Sequence, residues 1–254
     1  MLRLWLIVTT LILLTPAQAE QVVMAVSSER VAINSNFSGT ELTVFGSIER
    51  DGSSVSRAGD YDVVVVVKGP PADVVTRKKE RIFGVWINRN SRTFLGIPSF
   101  YALLSNKPID DIAQSQALKA NQLGLTNITF PVSADSIEAP GNPADFSEAY
   151  RRLKAEDDLF SMSDDGVEFL TRTLFKSQVQ IPSRVPVGTY RIEVFVFKQG
   201  TLLAHDEQTL WISKAGLEQI VYDFSRQEGL LFGIAAVLLA IFVGWFGGVV
   251  FRRE

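Results

Sequence analysis

The sequence predicts a mainly β domain, an immunoglobulin-like β-sandwich with a helical insertion, followed by one C-terminal transmembrane helix. Three observations carry this reading. Apolar residues alternate with period two at both ends of the segment 20–213. A Gly-x-Tyr corner stands at Gly188-Thr189-Tyr190. The 23 residues from Gly229 to Phe251 carry no charge. With 46% hydrophobic residues and 25 basic against 28 acidic side chains, the chain is neither collagenous nor of disordered composition. The mean hydropathy of +0.16 averages unlike parts: two apolar ends and a mixed-charge middle.

The N-terminal segment has one basic residue, Arg3, then the apolar run Leu4 to Leu14, then Pro16 and the small pair Ala17 and Ala19. That run is short for a bilayer, and Ala17-Gln18-Ala19 suits a signal peptidase, so residues 1–19 read as a cleaved secretory signal. Gly229 to Phe251 would span about 34 Å as a helix, enough for a hydrocarbon core of about 30 Å. Arg252 and Arg253 follow it directly, which places residues 252–254 in the cytoplasm and the domain outside. The segment Glu20 to Glu228 then carries 22 basic and 27 acidic residues, net −5, which disfavours nucleic acid as a partner.

Within that segment, Gln21 to Ile33 reads as a strand split by Ser27-Ser28-Glu29. Leu42, Val44, Gly46 and Ile48 form the apolar face of the next strand, and Asp51-Gly52-Ser53 a turn or loop. Tyr61 to Val67, with five valines in a row and a stop at Gly69-Pro70-Pro71, reads as a strand buried on both faces. Arg81 to Asn88 reads as one further strand, apolar on both sides around Trp86, so that a helical insertion would cover its outer face. A helical insertion is expected over about 99–166. It holds one helix through Ile109, Ile112 and Ala120 to Gly124, and a second after Asn142-Pro143 running to Leu159. Thr171 to Ile181 returns to period two. The stretch Pro186 to Val194 then looks like a tyrosine corner opening a strand, with a hairpin turn at Lys198-Gln199-Gly200 and a last strand to Ser213. This makes seven strands, four before the helices and three after; two separate domains are the alternative. Leu217, Ile220, Val221 and Phe224 keep helical spacing in the linker 214–228.

Few residues suggest chemistry. There is no Cys, which removes thiol catalysis and thiolate metal sites. His205 is the only histidine and reads as a solvent-facing strand residue. Glu156-Asp157-Asp158 and Asp164-Asp165-Gly166 lack calcium-loop spacing. No nucleophile elbow or phosphate loop occurs. No catalytic, cofactor or metal residues are therefore assigned, and the protein is expected not to be an enzyme. The basic run Arg77, Lys78, Lys79 and Arg81 is a possible partner surface, weighed against a charged strand end that discourages edge pairing. Among the aromatics Trp86, Phe94, Phe100 and Tyr101, core roles are favoured over recognition. In the membrane helix, Ala236, Ala240, Gly244 and Gly248 repeat every fourth residue, a small-residue stripe that lets a second helix approach closely.

Asn36-Phe37-Ser38-Gly39 before Leu42 to Gly46, Lys68-Gly69-Pro70, Arg77 to Arg81 with Gly84 to Asn88, Pro98-x-Phe100-Tyr101, and Ile181-Pro182 through Tyr190 together resemble an uncharacterised family of alpha-proteobacterial transmembrane proteins. The resemblance spans signal, domain and membrane helix. It implies a single-pass protein of the bacterial inner membrane and an accessory role beside a membrane transporter, and it lends no catalytic residues. The expected partners are the lipid bilayer and another membrane protein or a second copy, met through the transmembrane helix. The expected function is a periplasmic protein-binding or scaffolding domain. The alternative is a tethered module for a small ligand, with a polar pocket that draws on Arg92, His205 and Asp206.

Overall fold

The computed structural model describes residues 20–33, 37–49, 60–214 and 224–250. The expected signal (1–19), the Asp51-Gly52-Ser53 turn, Asn36, most of the linker and the tail 252–254 lie outside the described residues. Seven strands precede the helices: β1 (Gln21–Val26), β2 (Arg30–Ile33), β3 (Gly39–Glu49), β4 (Asp62–Lys68), β5 (Pro71–Ile82), β6 (Val85–Pro98) and β7 (Tyr101–Ser105). Three helices follow, α1 (Ile109–Ile112), α2 (Ser115–Ala120) and α3 (Pro143–Glu156). Then come β8 (Phe160–Ser163), β9 (Val167–Phe169), β10 (Leu174–Pro182), β11 (Gly188–Lys198), β12 (Thr201–Lys214) and the apolar α4 (Gly229–Val250).

The strands form a four-stranded sheet in the order β1-β3-β10-β9, a six-stranded sheet in the order β2-β12-β11-β4-β7-β8, and the two-stranded ribbon β5-β6. The sheet system includes a curled half-barrel. The polar break at Ser27 to Glu29 divides the first strand between the two large sheets: β1 pairs antiparallel with β3, and β2 pairs parallel with β12. In β3 and β10 the alternation is realised as expected, with Leu42, Val44 and Ile48 on the same sheet face as Phe175, Val179 and Ile181, all buried in one core. Gly46 is needed there, because a Cβ would lie 2.2 Å from the Phe175 ring.

The valine strand β4 is central, between β11 and β7, and Val63 to Val67 are all buried. Both of its faces need cover. The helical segment supplies part of it through Ile109, Ile112, Leu118, Leu123, Phe146 and Tyr150, which join the same core. Tyr101 on β7 pins that layer: its hydroxyl donates to the Gln122 carbonyl at 2.9 Å and accepts from the Gly124 N–H at 3.0 Å. α3 starts where Asn142 accepts from the Ala144 N–H and Pro143 needs no donor partner.

The expected helical insertion differs in its limits and in what it covers. It begins and ends with strands: β7 and β8 lie inside 99–166 and extend the six-stranded sheet, β7 antiparallel to β4 and β8 parallel to β7. The first helix is broken into two short pieces, α1 and α2. The expected strand over Arg81 to Asn88 is instead the reversal of a long hairpin, with its turn at Phe83-Gly84. The insertion therefore covers β4 and β7 and not Trp86, which is 65% exposed. The strand count rises from seven to twelve among the described residues.

The tyrosine corner is present. Tyr190 is fully buried and donates to the Pro186 carbonyl at 2.6 Å. Tyr190→Phe keeps the ring and orphans that carbonyl, so it should lower stability by about 1–2 kcal/mol in urea unfolding followed by tryptophan fluorescence. Burial raises the hydroxyl pKa of Tyr101 and Tyr190 and pushes Tyr150 up to about 12. Unfolded tyrosines ionise near pH 10 while these stay protonated, so the unfolded state binds fewer protons above that pH. Their contribution to stability is complete below about pH 10 and should decline as pH rises beyond it, read as falling urea midpoints between about pH 9 and pH 11.

Candidate functional site: a projecting hairpin

The ribbon continues the β4–β7 pair beyond the edge of its sheet. Gly69 donates to Phe100, Ser99 donates to Pro70, and Pro71 faces Pro98. An unsupported two-stranded ribbon is marginal in water, and here only the base is seated. Phe94 and Ile97 are buried, and Phe94 packs edge-on against Phe130 at 5.4 Å. Arg92, 2% exposed, donates to the carbonyls of Ser136, Ile137, Ala139 and Gly141, tying β6 to the loop before α3. A groove of about 550 Å³ runs between β5 and α3, lined by Arg77, Lys78, Lys79, Asp145, Phe146 and Arg152.

Beyond Lys79 the hairpin stands free. Arg77, Lys78, Lys79 and Arg81, read in the sequence as a possible partner surface or a charged strand end, are exposed on β5, the first three along the groove to α3 and Arg81 beyond it. Arg81 lies directly across from Trp86, and Lys79 from Asn88. Arg89 is left unpaired in the ladder where the register shifts, and it meets Glu80 at 3.2 Å. At the apex Phe83 (φ 48°) and Gly84 (φ 86°) both adopt the left-handed conformation of a type I′ turn. Asn, Asp or Gly ordinarily fills the first of these positions. Here it holds a fully exposed Phe, with Val85, Trp86 and Ile87 also exposed beside it.

The other sequence-nominated residues do not converge. Arg92 is committed to the four carbonyls. His205 is exposed on β12 and stacks on Phe195 with ring centroids 4.4 Å apart. Asp206 accepts from the Met24 N–H at 3.2 Å. The acidic runs are taken up in surface contacts, Asp157 with Arg184 and Asp165 with Ser163. Ala236, Ala240, Gly244 and Gly248 lie along α4, and side chains built at Gly244 and Gly248 would meet nothing within 4 Å among the described residues. The sequence reading missed the tip: Phe83-Gly84 has the glycine of a two-residue turn, but the apolar residues around it read as strand.

A bulky residue in the left-handed region is strained, with a cost of order 1 kcal/mol. Phe83→Asn should therefore stabilise the hairpin by a few tenths to about 1 kcal/mol, measured as slower amide exchange at Val85 and Ile87, which belong to the hydrogen-bonded pairs of the ribbon.

No curated protein matches the chain. α4 contains 20 residues, Gly229–Gly248, long and apolar enough to cross a bilayer. A family model described as "Putative transmembrane protein (Alph_Pro_TM)" matches residues 21–253, taking in the β domain, the hairpin and the membrane helix, and the chain belongs to that family.

Proposed function

We propose that the protein is a single-span inner-membrane scaffold whose exported domain binds or positions another component at the membrane, without catalysis of its own. The observation that carries this is the hairpin. A domain whose core is filled nevertheless sends out a ribbon with four exposed apolar side chains at its tip and a cationic shaft. The tripartite N-terminus supports export with cleavage after Ala19, and Arg252-Arg253 supports a cytoplasmic C-terminus.

An immunoglobulin-like fold is part of this reading. β1-β3-β10-β9 follows the A-B-E-D order of such sandwiches, and β12-β11-β4 the G-F-C order, with β7 in the place of the added C′ strand. The tyrosine corner then opens strand F, where these domains carry it. The small-residue stripe supplies the membrane contact, where close helix approach favours a partner span or a second copy. An accessory role beside a transporter fits this arrangement.

Photo-crosslinkers in native membranes should trap a partner span or a second copy at Gly244, and a protein or a lipid at Ile87. Replacing α4 with an unrelated apolar span should abolish the Gly244 adduct and leave the domain folded. Recovery of the uncrosslinked chain alone from both positions overturns the reading.

A further inference from the structure

We infer that the tip of the β5–β6 hairpin docks into the anionic headgroup layer of the same bilayer that α4 crosses, holding the domain in one orientation on the membrane. The inference rests on the docking-arm reading above and names what the arm meets.

Topology brings the arm to the membrane side. In the six-stranded sheet, Lys68 pairs with Arg191, and Arg191 with Thr209, so β4 runs toward the same end of the sheet as β12, reaching the level of Thr209, five residues before Lys214. Just beyond, β11 begins against the foot of the hairpin, since a side chain at Gly188 would collide with Pro70. The hairpin and the chain leading to α4 thus leave the same end of the sheet. Fourteen residues separate Lys214 from Gly229, a reach of at most about 50 Å. The twelve residues of β5 extend about 40 Å. Bilayer and tip lie within range of each other.

Charge and side-chain chemistry select the lipid surface. Besides the buried Arg92, the ribbon exposes five basic residues against two acidic ones, although the whole exported segment is net −5. A basic collar therefore sits on an otherwise strongly acidic domain, at the end nearest the membrane. Anionic headgroups attract such a collar over about a Debye length. The apex presents Phe83, Val85, Trp86 and Ile87, with Trp86 beside Arg81. An aromatic ring above a cationic band is the composition of a membrane–water interface, where the ring sits at headgroup depth and the cations meet phosphates. Phe83 contributes nothing to the fold, and its backbone is strained in water. Insertion gives that side chain an apolar contact.

The absence of cysteine allows a single probe. The full-length chain carrying Val85→Cys, labelled with an environment-sensitive fluorophore, is placed in nanodiscs of phosphatidylcholine with or without phosphatidylglycerol, each doped with a nitroxide lipid. Leu170→Cys, an exposed position at the end of the four-stranded sheet away from Lys214, is the control. We expect the label at 85 to shift to the blue and lose most of its emission in the anionic discs, and the control label to do neither. Combined Arg77→Gln, Lys78→Gln, Lys79→Gln and Arg81→Gln, or salt at about 1 M with its screening length of about 3 Å, should restore the emission. Phe83→Asn should weaken the quenching although it makes the better turn.

An unquenched label in both discs overturns the inference, as does equal quenching that ignores lipid charge. If the label stays unquenched while the Ile87 crosslinker traps a protein, the arm reading stands and the bilayer is not its counterpart. If both probes fail, both readings fall.

Discussion

The fold depends on a strand that offers nothing to water. Val63 to Val67 lie in the middle of the six-stranded sheet with every side chain buried, so the sheet must be covered on both sides. The four-stranded sheet supplies one layer, and the segment between β7 and β8 supplies another, which is why a helical excursion interrupts the strands at that point. Tyr101 locks the excursion to the sheet, and Arg92 then ties the hairpin to the excursion. Each step places the next, from buried valines to helical cover to the seat of a ribbon whose far half has no layer of its own.

The parts of the fold that could be read from the sequence are those where one residue's neighbours decide its environment. The alternation of β3 and β10, the valine run of β4 and the hydroxyl bond of Tyr190 are local patterns with one reasonable outcome. What escaped was set by tertiary context. Tyr101-Ala-Leu-Leu-Ser has no period, because β7 is buried on both faces, and its flank of helical spacing drew it into the insertion. β8 and β9 are too short to show alternation. The hairpin turn was hidden because Phe83 stands where turn chemistry calls for Asn or Gly.

The same contrast sorts the candidate residues. Arg92 looked like a ligand-binding cation and turned out to satisfy backbone carbonyls, a structural duty that no spacing in the sequence announces. Phe94, Phe100 and Tyr101 are core, as their favoured reading had it, while Trp86 from the same stretch is the exception. The basic run was visible at once. Its meaning came from the topology, which places it on a ribbon outside the two large sheets and beneath an apolar apex.

The parallel pairing of β2 with β12 has a mechanical side. A pull applied at Lys214 along the strand would act on β12 itself. There Trp211 to Lys214 are held on one flank by Arg30 to Ile33 and, as far as Ile212, on the other by the start of β11. A load along the strand axis strains these bonds side by side in shear, so several must give way together. A peeling geometry would let them open one at a time. The last strand of the domain before the membrane helix is thus held by bonds that load together instead of one after another.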